Sequence, residues 1–234
     1  MVMHILLTRP LENSHDLILR FKSLGHKVSH LPLISIQKVN YEKLDFSFFK
    51  GIIFTSANAI KNLDVKNIDK NIDCFCVGNV TEAVAKGAGF QKIYSASGNV
   101  NNLKEIILQN FDSSKGKLLY VSGELISNDL DQQLISEGYN VKRVINYRAI
   151  HIEKFNSELI EELKKKMPDI IYVYSQNSGL SLLKLIKNYS LQNLCMDTNV
   201  MCMGEKTSSI LNEIKWKKIF LFNSGEEEFL LYKI

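Results

Sequence analysis

Short stretches of small, polar residues recur wherever an apolar run ends. They are Thr8-Arg9, Thr55-Ser56-Ala57-Asn58, Gly78-Asn79-Val80-Thr81, Ser97-Gly98-Asn99, Ser122-Gly123, Ser175-Gln176-Asn177-Ser178, Gly204-Glu205-Lys206-Thr207 and Asn223-Ser224-Gly225. At the start of a helix such residues cap orphan backbone N–H groups and leave others accessible. Accessible N–H groups at a helix N-terminus attract anions. Taken singly, each stretch is an ordinary cap. Aspartate caps equally well, yet none of the eight contains one. Avoiding fixed negative charge suits a cleft that receives carboxylates; Glu205 is the exception. Arg9 is the leading candidate for a fixed cation near these loops, with a local acid as its competing partner, and Lys206 is the second.

The elements that must position these loops follow from periodicity. The segment 4–8 is a strand candidate, 12–24 places Leu17, Ile18, Phe21 and Leu24 on one helical face, and 27–33 returns as a strand. "GIIFTS", "DCFCVG" and "QKIYSA" supply three more strands, and the helix between the last two stops at Gly87-Ala88-Gly89. The second half runs through the same series. Residues 117–123 answer "HILLTRP", and 130–144 answer 17–31 at an offset of 113. "DIIYVYS" answers "GIIFTS", 200–211 answer 75–84 with Gly-x-x-Thr in both, and 217–225 answer 91–99. Two copies of a five-stranded β-α unit therefore span the chain, which predicts an α/β protein of two similar domains with parallel sheets covered on both faces. Ligands of such sheets bind outside the carboxyl ends of the strands, where the eight loops lie.

Composition narrows the function. The 234 residues are 45% apolar and 23% charged, with net charge +4, too mild for a nucleic-acid binder. Lys164-Lys165-Lys166 ends a predicted helix, where it complements the macrodipole. The four cysteines, Cys74, Cys76, Cys195 and Cys202, lack zinc-ligand spacing and read as buried free thiols. Reduced thiols, a short N-terminal apolar stretch and no run near the ~20 residues needed to span a bilayer predict a cytoplasmic protein without membrane contact. There is no Gly-x-Gly-x-x-Gly after the first strand, no P-loop, no Gly-x-Ser-x-Gly, and the five histidines pair with no nucleophile motif. No His/Glu cluster has metal spacing, so no metal site is expected.

The ordered set "LLTRP", "LGHKVSHLPLISI", "IIFTSANAI", "CVGNVTEAVAKGAGF", "SGNVNNL", "LLYVSGE", "VINYRAI", "VYSQNSG" and "MGEKTSSIL" resembles the uroporphyrinogen-III synthase family over essentially the whole chain. The resemblance implies two similar parallel-sheet (flavodoxin-like) α/β domains joined by a two-stranded linker, the first domain being discontinuous. Carried onto this sequence, residues 1–36 and 150–234 form the first domain and 39–146 the second, with linkers near 37–38 and 147–149. A cut at residue 115 would be wrong. The implied reaction closes the linear tetrapyrrole hydroxymethylbilane into uroporphyrinogen III, with loss of water and inversion of ring D through a spiro intermediate, without cofactor or metal. The substrate's eight carboxylates match loops rich in N–H groups and poor in acids. Two domains closing over the substrate would orient ring D and exclude water.

Site residues follow from the same resemblance. Tyr147 of "NYR" is the candidate acid, because a phenol is protonated at neutral pH and can hydrogen-bond a leaving hydroxyl. Its repeat counterpart is Ile34, so the shared fold does not demand a tyrosine there. Its competing role is packing within the linker. Thr81 and Thr207 match the Gly-x-x-Thr positions and would hydrogen-bond carboxylates, with helix capping as the alternative. Arg9, Ser56, Asn58, Gly78, Ser122, Gly123 and Ser175 complete the expected binding set. Many relatives carry Arg where Asn58 stands. The protein is expected to act as a monomer on a small molecule. The competing reading is a two-domain binding protein for an anionic small molecule, without catalysis; a glycosyl- or nucleotidyl-type transferase would need acidic metal or phosphate-site motifs that are missing.

Overall fold

The computed structural model describes residues 2–11, 14–97, 100–126, 128–153, 155–223, 225–228 and 231. Gly98 and Asn99 of one expected loop and Ser224 of another lie outside the described residues. The elements run β1 (His4–Leu7), α1 (His15–Ser23), β2 (Lys27–His30), β3 (Ile34–Lys38), β4 (Phe49–Phe54), α2 (Ala57–Lys61), β5 (Asp73–Val77), α3 (Asn79–Gly87), β6 (Ile93–Ala96), α4 (Val100–Asn110), β7 (Lys117–Gly123), α5 (Leu130–Ser136), β8 (Val141–His151), α6 (Ser157–Lys165), β9 (Ile170–Val173), α7 (Gln176–Asn188), β10 (Asn199–Met203), α8 (Glu205–Leu211) and β11 (Lys218–Phe222). The chain divides into two compact units, Met1–Ser35 with Ile150–Ile234, and Ile36–Ala149. Among the described residues, no helix is long and apolar enough to cross a membrane.

The first unit holds a five-stranded sheet in the order β11-β10-β9-β1-β2, every pair parallel. Its central strands β1, β9 and β10 are buried on both faces, so they read as largely apolar runs. Leu6, Ile171, Val173, Val200 and Cys202 face a core filled by α6, α7 and α8. Ile5, Leu7, Ile170, Tyr172 and Met201 face the other side, against Phe21 of α1. Leu24, expected on the buried face of that helix, is its C-cap residue and is exposed. The strand expected over 27–33 ends at His30, because Pro32 has no N–H to donate; Leu31 and Leu33 still donate to Leu7 O and Thr8 O.

The second unit holds the order β3-β8-β7-β4-β5-β6. From β8 to β6 the pairs are parallel, and the repeat-equivalent strands lie in the same spatial order as in the first sheet. The sixth strand, β3, lies at the edge. Val39 N–H donates to Asn146 O and Ile152 N–H to Leu33 O, so β3 and β8 run antiparallel. Ile52, Phe54, Cys74, Cys76, Leu119 and Val121 face one core, and Ile53, Phe75, Leu118 and Tyr120 the other. All four cysteines are free and buried.

Each sheet is assembled from both sequence repeats. Strands β1 and β2 of the first repeat join β9, β10 and β11 of the second; β7 and β8 join β4, β5 and β6. Strand order therefore reverses between β1 and β9 in one unit and between β7 and β4 in the other. Those switch points are where open α/β sheets bind ligands.

Candidate functional site

In the second unit the switch point brings the end of β7 beside the end of β4. The β7 end meets β8 through a β-bulge, since Ser122 pairs with Ile145 but Gly123 pairs with Tyr147, leaving Asn146 as the extra residue. The Tyr147 ring lies directly over Gly123. A Cβ on that glycine would fall 2.8 Å from Cζ and 3.0 Å from the phenolic oxygen. Gly123 is thus the platform for the ring, and Glu124 N–H donates to Tyr147 O at 2.9 Å. The half-buried ring packs on the Ile52/Val121 core. Asn146 is fully buried; its Nδ2 donates to Ala59 O at 2.7 Å and its Oδ1 has no hydrogen-bond partner among the described residues. Ser122 is also buried. Its hydroxyl donates to Gly123 O at 3.0 Å and accepts from Arg143 Nε at 2.9 Å, so this side chain fastens the loop.

The remaining expected residues of this unit stand on the neighbouring loops. Ser56 is the N-cap of α2, its hydroxyl accepting from Asn58 N–H at 3.2 Å. Both residues are half-buried. Thr55 and Tyr120 share a hydrogen bond of 3.1 Å beneath them, and burial raises the Tyr120 pKa against that bond, keeping the phenol protonated. Gly78 is the N-cap of α3 with φ 81 and ψ 153, and Gly204 is the N-cap of α8 with φ 77 and ψ 152. At both positions a Cβ would meet nothing within 4 Å, so backbone conformation and not space calls for glycine. Neither cap has a side-chain hydrogen bond to the helix, which leaves the first N–H groups of α3 and α8 open. Thr81 and Thr207 follow three residues later and are buried at 5% and 2% exposure. Neither hydroxyl bonds another group among the described residues.

In the first unit the corresponding edge carries Arg9, Tyr174 and Ser175. The Arg9 guanidinium lies 4.2 Å over the Tyr174 ring and 3.9 Å from Glu227, an acid distant in sequence. Arg9 Nε and Tyr174 Oη are buried without hydrogen-bond partners among the described residues. Burial raises the Tyr174 pKa, with Arg9 acting in the opposite direction. The carbonyl of Arg9 accepts from His30 Nε2 at 2.8 Å and from Ser14 at 3.2 Å, which fixes the backbone of this loop. Ser175 caps α7, accepting from Ser178 N–H at 3.2 Å. Lys206 is exposed. Arg9, Ser175 and Thr207 thus belong to one unit; Ser56, Asn58, Gly78, Thr81, Ser122, Gly123 and Tyr147 belong to the other. Among the described residues, no group of three or more His, Cys, Asp or Glu is placed to hold a metal ion.

The family model described as HEM4, uroporphyrinogen-III synthase HemD, matches residues 15–221. The chain belongs to the uroporphyrinogen-III synthase family. Two solved structures share its fold. The uroporphyrinogen-III synthetase of Helicobacter pylori 26695 is 18% identical, with 100% of both chains covered and a TM-score of 0.66. A mutant uroporphyrinogen III synthase of the extremely thermophilic bacterium Thermus thermophilus is 14% identical, with 99% of this chain and 97% of that one covered and a TM-score of 0.57. No curated protein sequence matches significantly. The reaction of a uroporphyrinogen-III synthase is cyclisation of hydroxymethylbilane to uroporphyrinogen III, in haem biosynthesis.

For a uroporphyrinogen-III synthase the geometry offers two kinds of group. One is a phenol, Tyr147, braced at the end of β7. The other is a set of uncharged donors, the hydroxyls of Thr81 and Thr207 and the open N–H groups behind Gly78 and Gly204. Arg143, Asn146, His30, Tyr174 and Glu227 escaped the sequence reading. One signal was present: His30 and Arg143 stand 113 residues apart, the offset of the repeat, and both fasten the loop after the first strand of their repeat.

Proposed function

We propose that this uroporphyrinogen-III synthase uses Tyr147 as the acid that assists departure of the hydroxyl from ring A. The observation that carries the reading is the placement of the phenol. It is braced on Gly123 at the carboxyl end of β7, beside the switch point of its sheet. The pyrrole nitrogen of ring A pushes electrons toward the hydroxymethyl carbon, the C–O bond breaks, and the phenol supplies a proton so that water leaves. Ring D then attacks the cationic carbon through its substituted position, forming the spiro intermediate that rearranges to the inverted ring.

Thr81 and Thr207 donate to substrate carboxylates, with the N–H groups behind Gly78 and Gly204 as neighbouring donors. Ser56, Asn58 and Ser175 donate from their cap positions, and Arg9 contributes a partly neutralised positive charge. Ser122 and Gly123 act through the loop they build under Tyr147. The two units serve as the two domains, with the linkers near 37–38 and 147–149 on β3 and β8. The enzyme works as a monomer in the cytoplasm, a reducing compartment that suits four free, buried thiols. Tyr147→Phe tests the acid. It is expected to lower kcat by about 10- to 100-fold, at or below the lower end of the usual effect of a general acid because the pyrrole nitrogen itself assists departure, at an unchanged unfolding temperature. Wild-type kcat in a folded variant removes Tyr147 from the mechanism.

A further inference from the structure

We propose that Arg143 is a positioning residue for the reaction. Its guanidinium holds the 122–124 loop on which the Tyr147 ring rests, and so sets where the phenolic proton is delivered. The inference rests on Tyr147 being the acid.

Three hydrogen bonds make the hold. Arg143 Nε donates to Ser122 Oγ at 2.9 Å, and Nη2 donates to Gly123 O at 2.9 Å and to Glu124 O at 3.0 Å. A guanidinium is planar and permanently charged, so these donors keep one geometry at every working pH. Tyr147 grips two of the same residues, accepting from Glu124 N–H and covering Gly123. Both grips come from β8, on either side of its bulge, and Asn146 in the bulge is tied to Ala59 O. The ring is in contact with the Gly123 backbone, so a shift of that loop shifts the ring.

A general loop fastener is the competing role. His30 occupies the matching position of the other unit and donates to Arg9 O. Fastening this loop is therefore shared by both repeats. What differs in the second unit is the consequence. The residue four places after His30 is Ile34, whereas four places after Arg143 stands Tyr147, seated on the fastened loop.

The deciding experiment is a double-mutant cycle. Values of kcat and KM are measured with enzymatically generated hydroxymethylbilane for wild type, Arg143→Met, Tyr147→Phe and the double variant, each with its unfolding temperature. Arg143→Met is expected to lower kcat about 10-fold with KM within about twofold, since small misplacements of a reacting group carry costs of that order. In the Tyr147→Phe background the same substitution is expected to change kcat less than about twofold, because the group it positions is gone. Equal losses in both backgrounds overturn the inference, as does a raised KM with kcat intact, which would make Arg143 a direct substrate contact. If Tyr147→Phe alone keeps wild-type kcat, the acid reading fails and takes this inference with it; a low Tyr147→Phe with additive losses defeats the inference alone. Where Arg143→Met does not fold, Arg143→Lys, which keeps the charge but not the planar fork, is read in the same cycle.

Discussion

A methyl group added at Gly123 would sit 2.8 Å from Tyr147 Cζ and 2.9 Å from Cε2, inside van der Waals contact. Gly123→Ala must therefore move the ring or the loop. The expected cost is about 1–3 kcal/mol of stability, as for other over-packed sites, together with a fall in kcat. Chemical denaturation and steady-state kinetics check both; an unchanged kcat would mean that the ring position does not matter to turnover. Thr81→Val and Thr207→Val keep the side-chain shape and delete an unbonded hydroxyl. Each is expected to raise KM about 10-fold, the order of one hydrogen bond to a charged group, with stability unchanged. Unaltered KM in both variants would leave the threonines a packing role. These threonines were legible because Gly-x-x-Thr recurs in both repeats. Arg143 was not, because an arginine in a mixed polar strand has no evident task until the neighbouring strand's loop is seen to bond it.

The glycine caps show what an element adds to its residues. Gly78 and Gly204 share φ and ψ to within a few degrees although the following residues, Asn79-Val80 and Glu205-Lys206, differ in charge and polarity. The common requirement is a left-handed cap that leaves helix N–H groups open. At the opposite end of the second sheet, Asp73 begins β5 and is 2% exposed, paired with Lys92 and Lys115 at 2.5 Å each. Burial alone would raise its pKa, but hydrogen bonds and charges from Lys115 and Lys92 outweigh burial and hold it below the ordinary value of 3.8. The folded state thus takes up this proton less readily than the unfolded chain. The stabilisation is full above the ordinary aspartate range and is lost as pH falls through the depressed folded value. Asp73→Asn is expected to lower stability at neutral pH and to flatten its decline in acid, below roughly pH 5. Parallel stability–pH curves for wild type and variant would contradict this. Element types were readable from alternation and 3.6-residue spacing. Ends were less so, because Pro32 and the β8 bulge act through hydrogen bonds that only the paired strands reveal.

At the scale of the whole chain, the two repeats explain the α/β class and the strand order, but not which strands share a sheet. Local pattern is the same whether β2 is followed in its sheet by β4 or by β9. The exchange is decided by β3 and β8, whose antiparallel pairing carries the chain out of one unit and back. Tyr147, expected from the family resemblance, stands on the returning strand, seated on Gly123. The central claim is that this chain closes hydroxymethylbilane with inversion of ring D. Purified protein is mixed with enzymatically generated hydroxymethylbilane, the products are oxidised, and the isomers are separated. Isomer III is the expected product, formed far faster than closure without protein. Isomer I alone, at the rate seen without protein, would contradict that claim.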